Sequence, residues 1–313
     1  MDRLHKFIQT TRKPLPVVLG PTASGKTDFS LRLAKYIAAL PLSEKQGRKD
    51  TDIVNADSRQ LYRGLSTGTA KIMPEEMQSI RHYLFDVVDP SEEMTAAQYQ
   101  RHAMHAIDDV HHRGNIPMLV GGSMLYISSV IDGLSFPASS DEKLREELSK
   151  EYDKDEGKSL HARLLALDPE TADGIPRQNK PYLLRALELY RLAGKKPSEL
   201  RMQSPLPYDL FLIGIECPRE LLYEKINNRT KELFKKGWIE EVRQLLRQGY
   251  SSKDPAMKSH GYKEIIEYLQ KGGSQKELTE KISAKTRQYA KRQMTWWKHD
   301  QRIFWIKPDV VFP

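Results

Sequence analysis

Apolar positions along the chain follow two rhythms. Unbroken apolar runs at residues 15–20 (LPVVLG) and 116–121 (IPMLVG) have the length of buried strands, and residues 52–56 (DIVNA) read as a further short strand entering a polar turn at Asp57. Between them the spacing becomes helical. Phe29, Leu33, Tyr36 and Ile37 share one face across residues 27–39, and residues 95–112 predict a second helix with Thr95 as its cap. The Gly114–Asn115 pair marks the turn into the third strand. Strands alternating with helices over this first part of the chain predict a parallel α/β sheet.

After Gly133 the pattern changes. Pro137 and the Ser139–Ser140 pair open a charged stretch of helical character, with no strand signal until residues 210–216 (LFLIGIE). Residues 134–203 therefore read as an all-helical insertion in an α/β core made of 1–133 and 204–313. The core resumes with helices over 219–236, 239–248, 262–271 and 276–298, and a last strand at 302–306 (RIFWI). The basic Arg48–Lys49 segment reads as a loop insertion before the second strand, and no internal repeat is present.

Of 313 residues 39% are hydrophobic, ample for a core. No apolar run approaches the ~20 residues of a membrane span, and the polar first 13 residues lack the apolar core of a signal peptide. A single cysteine, Cys217, excludes an internal disulfide and a multi-cysteine zinc site. It follows a buried strand and reads as inert core. The expectation is a soluble, cytoplasmic monomer.

Fifty basic against 42 acidic residues give a formal charge of +8, and the pI is near 9.2. The excess is local. Residues 1–137 carry 16 basic and 15 acidic side chains, 138–175 carry 6 and 11, 177–201 carry 7 and 2, and 277–307 carry 8 and 3. Clustered basic segments imply a polyanion partner, with solvated helix faces as the plain alternative.

The most specific local signal is Gly20-Pro21-Thr22-Ala23-Ser24-Gly25-Lys26-Thr27, a G-x-x-x-x-G-K-[ST] loop between a strand and a helix. Loop amides and the helix N-terminus favour bound phosphate. Lys26 supplies a point charge and the Thr27 hydroxyl is placed for magnesium. The loop alone does not distinguish a diphosphate from a nucleotide polyphosphate. The expected fold is thus a P-loop-type parallel sheet flanked by helices, with the helical insertion.

Enzymes that cut a nucleotide usually carry an aspartate at the end of a hydrophobic strand. Here residues 116–121 run instead into Gly122 and Ser123. An acid does follow the second strand: Asp57, then Ser58-Arg59-Gln60. Facing the phosphate loop, Asp57 is placed to act as a general base towards an acceptor. Taken alone, such an aspartate more often caps its turn.

The phosphate loop with Asp57-Ser58-Arg59-Gln60-Leu61-Tyr62, Gly68-Thr69-Ala70-Lys71, Gly121-Gly122-Ser123, Arg185-Ala186-Leu187-Glu188, Gly261-Tyr262-Lys263-Glu264 and Tyr289-Ala290-Lys291-Arg292-Gln293 resembles the tRNA dimethylallyltransferases. The matches keep their order from about residue 15 to residue 298. The resemblance implies transfer of a dimethylallyl group from dimethylallyl diphosphate to N6 of the adenosine 3′ of the anticodon. It assigns Asp57 as general base, and Thr27 and Arg229 as contacts to the diphosphate, with Mg2+ as cofactor at Thr27. It places Asp57, Ser58, Arg59, Gln60 and Ser123 along the channel for the extruded base. It gives Arg185, in the basic half of the insertion (177–201), Arg287, Lys291 and Arg292 to the tRNA, the last three facing either tRNA phosphate or diphosphate. The acidic half of the insertion reads as a solvated face.

Ser123 stands where the family often has threonine, and Tyr182 where an arginine often precedes Arg-Ala-Leu-Glu. Trp296 and Trp297 read as a core anchor, with base stacking as the alternative. The competing functions are prenylation of a free adenine nucleotide, a P-loop small-molecule kinase, and an RNA-binding module without catalysis.

Overall fold

The computed structural model describes residues 2–40, 50–136, 141–200 and 205–310. Arg48, Lys49, Pro137, Ser139, Ser140 and Arg201 lie outside the described residues. The chain forms two compact units, Met1–Ile131 with Pro207–Pro313, and Asp132–Leu206.

The first unit is built on six parallel strands, β1 (Pro14–Leu19), β2 (Thr51–Ala56), β3 (His82–Tyr83), β4 (Ile116–Gly121), β5 (Asp209–Ile215) and β6 (Ile303–Ile306). Their order is β3-β2-β4-β1-β5-β6. β1, β2 and β4 are buried along their whole length, which is why β1 and β4 read as unbroken apolar runs, while the polar Asp52 of β2 is buried with Arg113 donating to it. Val18, Ile53, Met118 and Ile213 of the sheet pack with Phe29, Leu33 and Ile37 of α2 (Lys26–Ala39) in one core. Each such side chain contributes roughly 1.5–3 kcal/mol by burial.

The polar N-terminal stretch is a helix, α1 (Asp2–Thr10), whose Leu4 and Ile8 join that core. After β3 comes α3 (Ala96–His112), closed at its start by the Thr95 hydroxyl accepting from the Gln98 N–H. α4 (Met124–Ile131) follows β4 directly.

The second unit holds α5 (Glu142–Asp155), α6 (Lys158–Leu167), α7 (Pro169–Asp173), α8 (Lys180–Ala193) and α9 (Pro197–Leu200). Leu144, Leu148, Leu160, Leu164, Leu183 and Leu187 form its own core. The acidic half is not all solvated surface. Asp168 is buried, with Oδ1 accepting from the Thr171 N–H and Oδ2 from the Ser198 N–H. Tyr182 is exposed.

The first unit then continues through α10 (Arg219–Lys235), α11 (Trp238–Arg247), α12 (Tyr262–Lys271) and α13 (Gln275–Trp297). The tandem tryptophans part company at the end of α13: Trp297 is 2% exposed and Trp296 43%. A helix turns successive residues by about 100°, so only one of the pair faces the core. Cys217 is buried, and burial pushes its thiol up. No helix among the described residues is long and apolar enough to cross a membrane.

Candidate active site

Strand register brings the functional segments level. Leu19 pairs with Gly121 and Gly121 with Ala56, so the phosphate loop, Asp57 and Gly122 leave the sheet side by side. The carboxyl ends of parallel strands are where open α/β sheets hold their ligands.

Gly25 caps α2 at φ 93, a left-handed conformation that glycine adopts freely. The Lys26 ammonium folds back to donate to the Pro21 carbonyl at 2.6 Å. Burial pulls its pKa down to about 8, with Asp57 opposing the shift and Arg229 adding to it. Ser24 is buried, and its Oγ has no hydrogen-bond partner among the described residues. Thr27 is exposed at the first turn of α2.

Asp57 does cap its turn: Oδ1 accepts from the Arg59 N–H at 2.8 Å, and no other hydrogen bond to its carboxylate is found among the described residues. Capping therefore uses one oxygen. The turn is held from behind by Asn55, whose Oδ1 accepts from the Asp57 N–H at 2.9 Å and whose Nδ2 donates to Leu84 O at 2.9 Å. Ser123 is buried and accepts from the Ser58 N–H at 2.7 Å.

Two cavities meet at this turn. The larger, about 560 Å³, is lined by Thr22, Ala23, Gly25, Lys26, Thr27, Asp57, Gln60 and Arg229, with an apolar wall of Ile53, Ile72, Phe85 and Val120. The smaller, about 170 Å³, is lined by Asp57, Ser58, Arg59, Arg229, His260 and Tyr289, with Trp238 and Tyr262. Thr22, Ala23, Asp57 and Arg229 belong to both. Arg229 Nη2 donates to Thr69 O at 3.1 Å. Burial lowers the Arg229 pKa and Asp57 opposes it, yet a guanidinium stays charged at any working pH.

The remaining residues singled out in the sequence lie elsewhere. Gly20, Pro21, Ser24 and Ser123 line neither cavity and stand behind their walls. Arg287 donates to Asn227 Oδ1 at 2.5 Å and to Glu280 Oε1 at 2.7 Å and lines neither cavity. Lys291 and Arg292 are exposed on α13. Arg185, in the helical unit, donates to the buried Glu188 at 2.7 Å.

Three residues passed over in the sequence shape the site. Gln293, 1% exposed, accepts from the Thr22 N–H at 2.8 Å and donates to Gly122 O at 2.7 Å. One neutral amide thus ties the phosphate loop to the end of β4. A Cβ on Gly122 would collide with it. Glu241 accepts from the N–H groups of Ser66 at 3.0 Å, Thr67 at 2.5 Å and Gly68 at 3.1 Å, and from Tyr262 Oη at 2.6 Å. It anchors the loop whose Thr69 carbonyl receives both Arg229 and, at 3.1 Å, Gln60 Nε2. Tyr289 lines the smaller cavity, and burial pushes its phenol up to about 12. The only sequence signal for Gln293 and Tyr289 was their place in a motif.

A family model described as IPP transferase matches residues 60–300, more than half of the chain. The chain belongs to this family. The tRNA dimethylallyltransferase of Geobacter sulfurreducens is 39% identical over 305 residues, spanning 96% of this chain and 94% of the relative. A solved full-length tRNA isopentenylpyrophosphate transferase from Bacillus halodurans aligns with TM-score 0.69 and 34% identity, over 96% of this chain and 92% of that one. A eukaryotic dimethylallyltransferase solved acting on tRNA aligns with TM-score 0.78 and 26% identity, over 95% of this chain and 74% of that one. All residues lining both cavities come from the first unit.

Proposed function

We propose that the chain transfers the dimethylallyl group of dimethylallyl diphosphate to N6 of the adenosine 3′-adjacent to the anticodon of tRNA. The observation that carries this reading is that Asp57 and Arg229 line both cavities, the larger of which is also lined by Gly25, Lys26 and Thr27 of the phosphate loop. The names of the aligned relatives point the same way.

The loop amides and Lys26 hold the diphosphate in the larger cavity. As the C1–O bond of the donor breaks, its electron pair leaves with the diphosphate. Lys26 and Arg229 stabilise the charge that develops there. The N6 lone pair forms the new bond to C1, and the Asp57 carboxylate takes the proton that N6 sheds. The adenine reaches Asp57 through the smaller cavity, which Tyr289, Tyr262 and Trp238 line. A base must leave its stack to do so, at a cost of about a few kcal/mol, least in a single-stranded loop.

The donor set suits magnesium. Thr27 offers one exposed hydroxyl beside the loop, and no cluster of three or more His, Cys, Asp or Glu able to cage a metal occurs among the described residues. Mg2+ is commonly held this way, by few protein oxygens together with phosphate oxygens and water. When bound it supplies positive charge to the departing diphosphate.

The helical unit, with Arg185 and its basic neighbours, grips the anticodon stem-loop backbone, and the working form is a cytoplasmic monomer. The test offers labelled dimethylallyl diphosphate together with unmodified tRNA and AMP. Label on the adenosine next to the anticodon supports the proposal, and label on AMP in preference overturns it.

A further inference from the structure

α13 presents an exposed stripe that this chemistry does not use. Gln288, Lys291, Arg292, Thr295 and Trp296 are all exposed. Their three- and four-residue spacing puts them on one face of the helix. No acidic residue occurs from 281 through 299.

Within this basic field Trp296 is 43% exposed. Two contacts fix the indole without covering it. Its N–H donates to Ser128 Oγ of α4 at 3.4 Å, and its ring stands T-shaped against Trp297, centroids 6.3 Å apart at 74°. Leu125, also exposed, precedes Ser128 by three residues on the same face of α4. Lys281, Lys285 and Arg287 are paired with glutamates, whereas Lys291 and Arg292 have no ion pair among the described residues. A held, half-open aromatic plane beside these two cations suits one partner chemistry, a nucleobase stacked on the ring with phosphates on the cations. An isologous dimer through this stripe would set cation against cation.

The stripe also connects to the site. The Arg292 guanidinium lies 5.7 Å from the centre of the Tyr289 ring, and Tyr289 lines the smaller cavity. Seven residues of helix separate Tyr289 from Trp296, about 10 Å of rise.

We propose that Trp296 is a stacking platform for an RNA base flanking the extruded adenosine, with Lys291 and Arg292 meeting the adjoining phosphates. This rests on the RNA-directed reading above.

The test titrates the full chain with an unmodified anticodon stem-loop and, separately, with inorganic pyrophosphate. Trp296→Ala is expected to weaken RNA binding about 10- to 100-fold and leave pyrophosphate binding unchanged. Trp296→Phe, which keeps an aromatic face, is expected to retain near wild-type RNA affinity, and Trp296→Leu to behave like the alanine variant. RNA binding by Trp296→Ala equal to wild type overturns the proposal. Equal rescue by Leu and Phe also overturns it, because plain apolar packing then suffices. A change in sedimentation of Trp296→Ala with RNA affinity intact assigns the face to a protein contact and overturns it as well. Should the alanine variant lose pyrophosphate binding through misfolding, the comparison of Phe with Leu decides. Failure of the wild-type chain to bind the stem-loop would sink the RNA-directed reading itself, which separates the two.

Discussion

Lys26 is a half-buried residue whose ammonium feels the charges of Asp57 and Arg229, and its charge is sensitive to pH. Burial lowers its pKa to about 8, so the folded protein gives up this proton at a lower pH than a free lysine. Anion binding needs the protonated form. Affinity for pyrophosphate should thus contain a Lys26-dependent component that is level below pH 8 and weakens as pH rises through it. Lys26→Arg should remove that component, since arginine keeps its charge. Breaks common to both proteins belong to the ligand, and identical pH profiles would contradict the placement of Lys26. Asp57 is separable into cap and base. Asn also caps turns, so Asp57→Asn keeps the Arg59 contact and removes only the basic oxygen. Turnover is expected to fall ~10²–10⁴-fold with RNA affinity retained, and full activity in this variant would exclude the base.

Among the elements, the Glu241 anchor is the most exposed to a single change. A glutamine there has one acceptor oxygen, and its amide would face backbone N–H donors. Glu241→Gln is expected to cost about 1–3 kcal/mol in chemical denaturation, the usual cost of an unsatisfied buried donor. Unchanged stability would contradict the anchoring role. This anchor also marks the limit of what the sequence reveals. β1, β2 and β4 are legible because both faces of these strands are buried. α4 is not, because MLYISSVI follows β4 without a polar face or a cap. α1 passes for a polar tail because only Leu4 and Ile8 turn inward, and two-residue β3 is too short for any periodicity. The phosphate loop is legible as one contiguous motif. Gln293 reaches Thr22 across 271 positions and Glu241 reaches Thr67 across 174, and no local pattern records such contacts.

At the scale of the molecule, chain topology concentrates the chemistry in one unit while the basic segments fall in both. Within the first unit, register alone sets three segments level at the carboxyl edge, and α10 and α13 bring Arg229 and Gln293 to them. The account turns on the phosphate loop holding a leaving group rather than a nucleotide to be cut. A single-turnover experiment with dimethylallyl diphosphate and unmodified tRNA, counting both products, tests this most directly. One diphosphate should appear for each N6-dimethylallyladenosine formed, without ATP and without orthophosphate. A requirement for ATP, or release of orthophosphate in step with product, would contradict it.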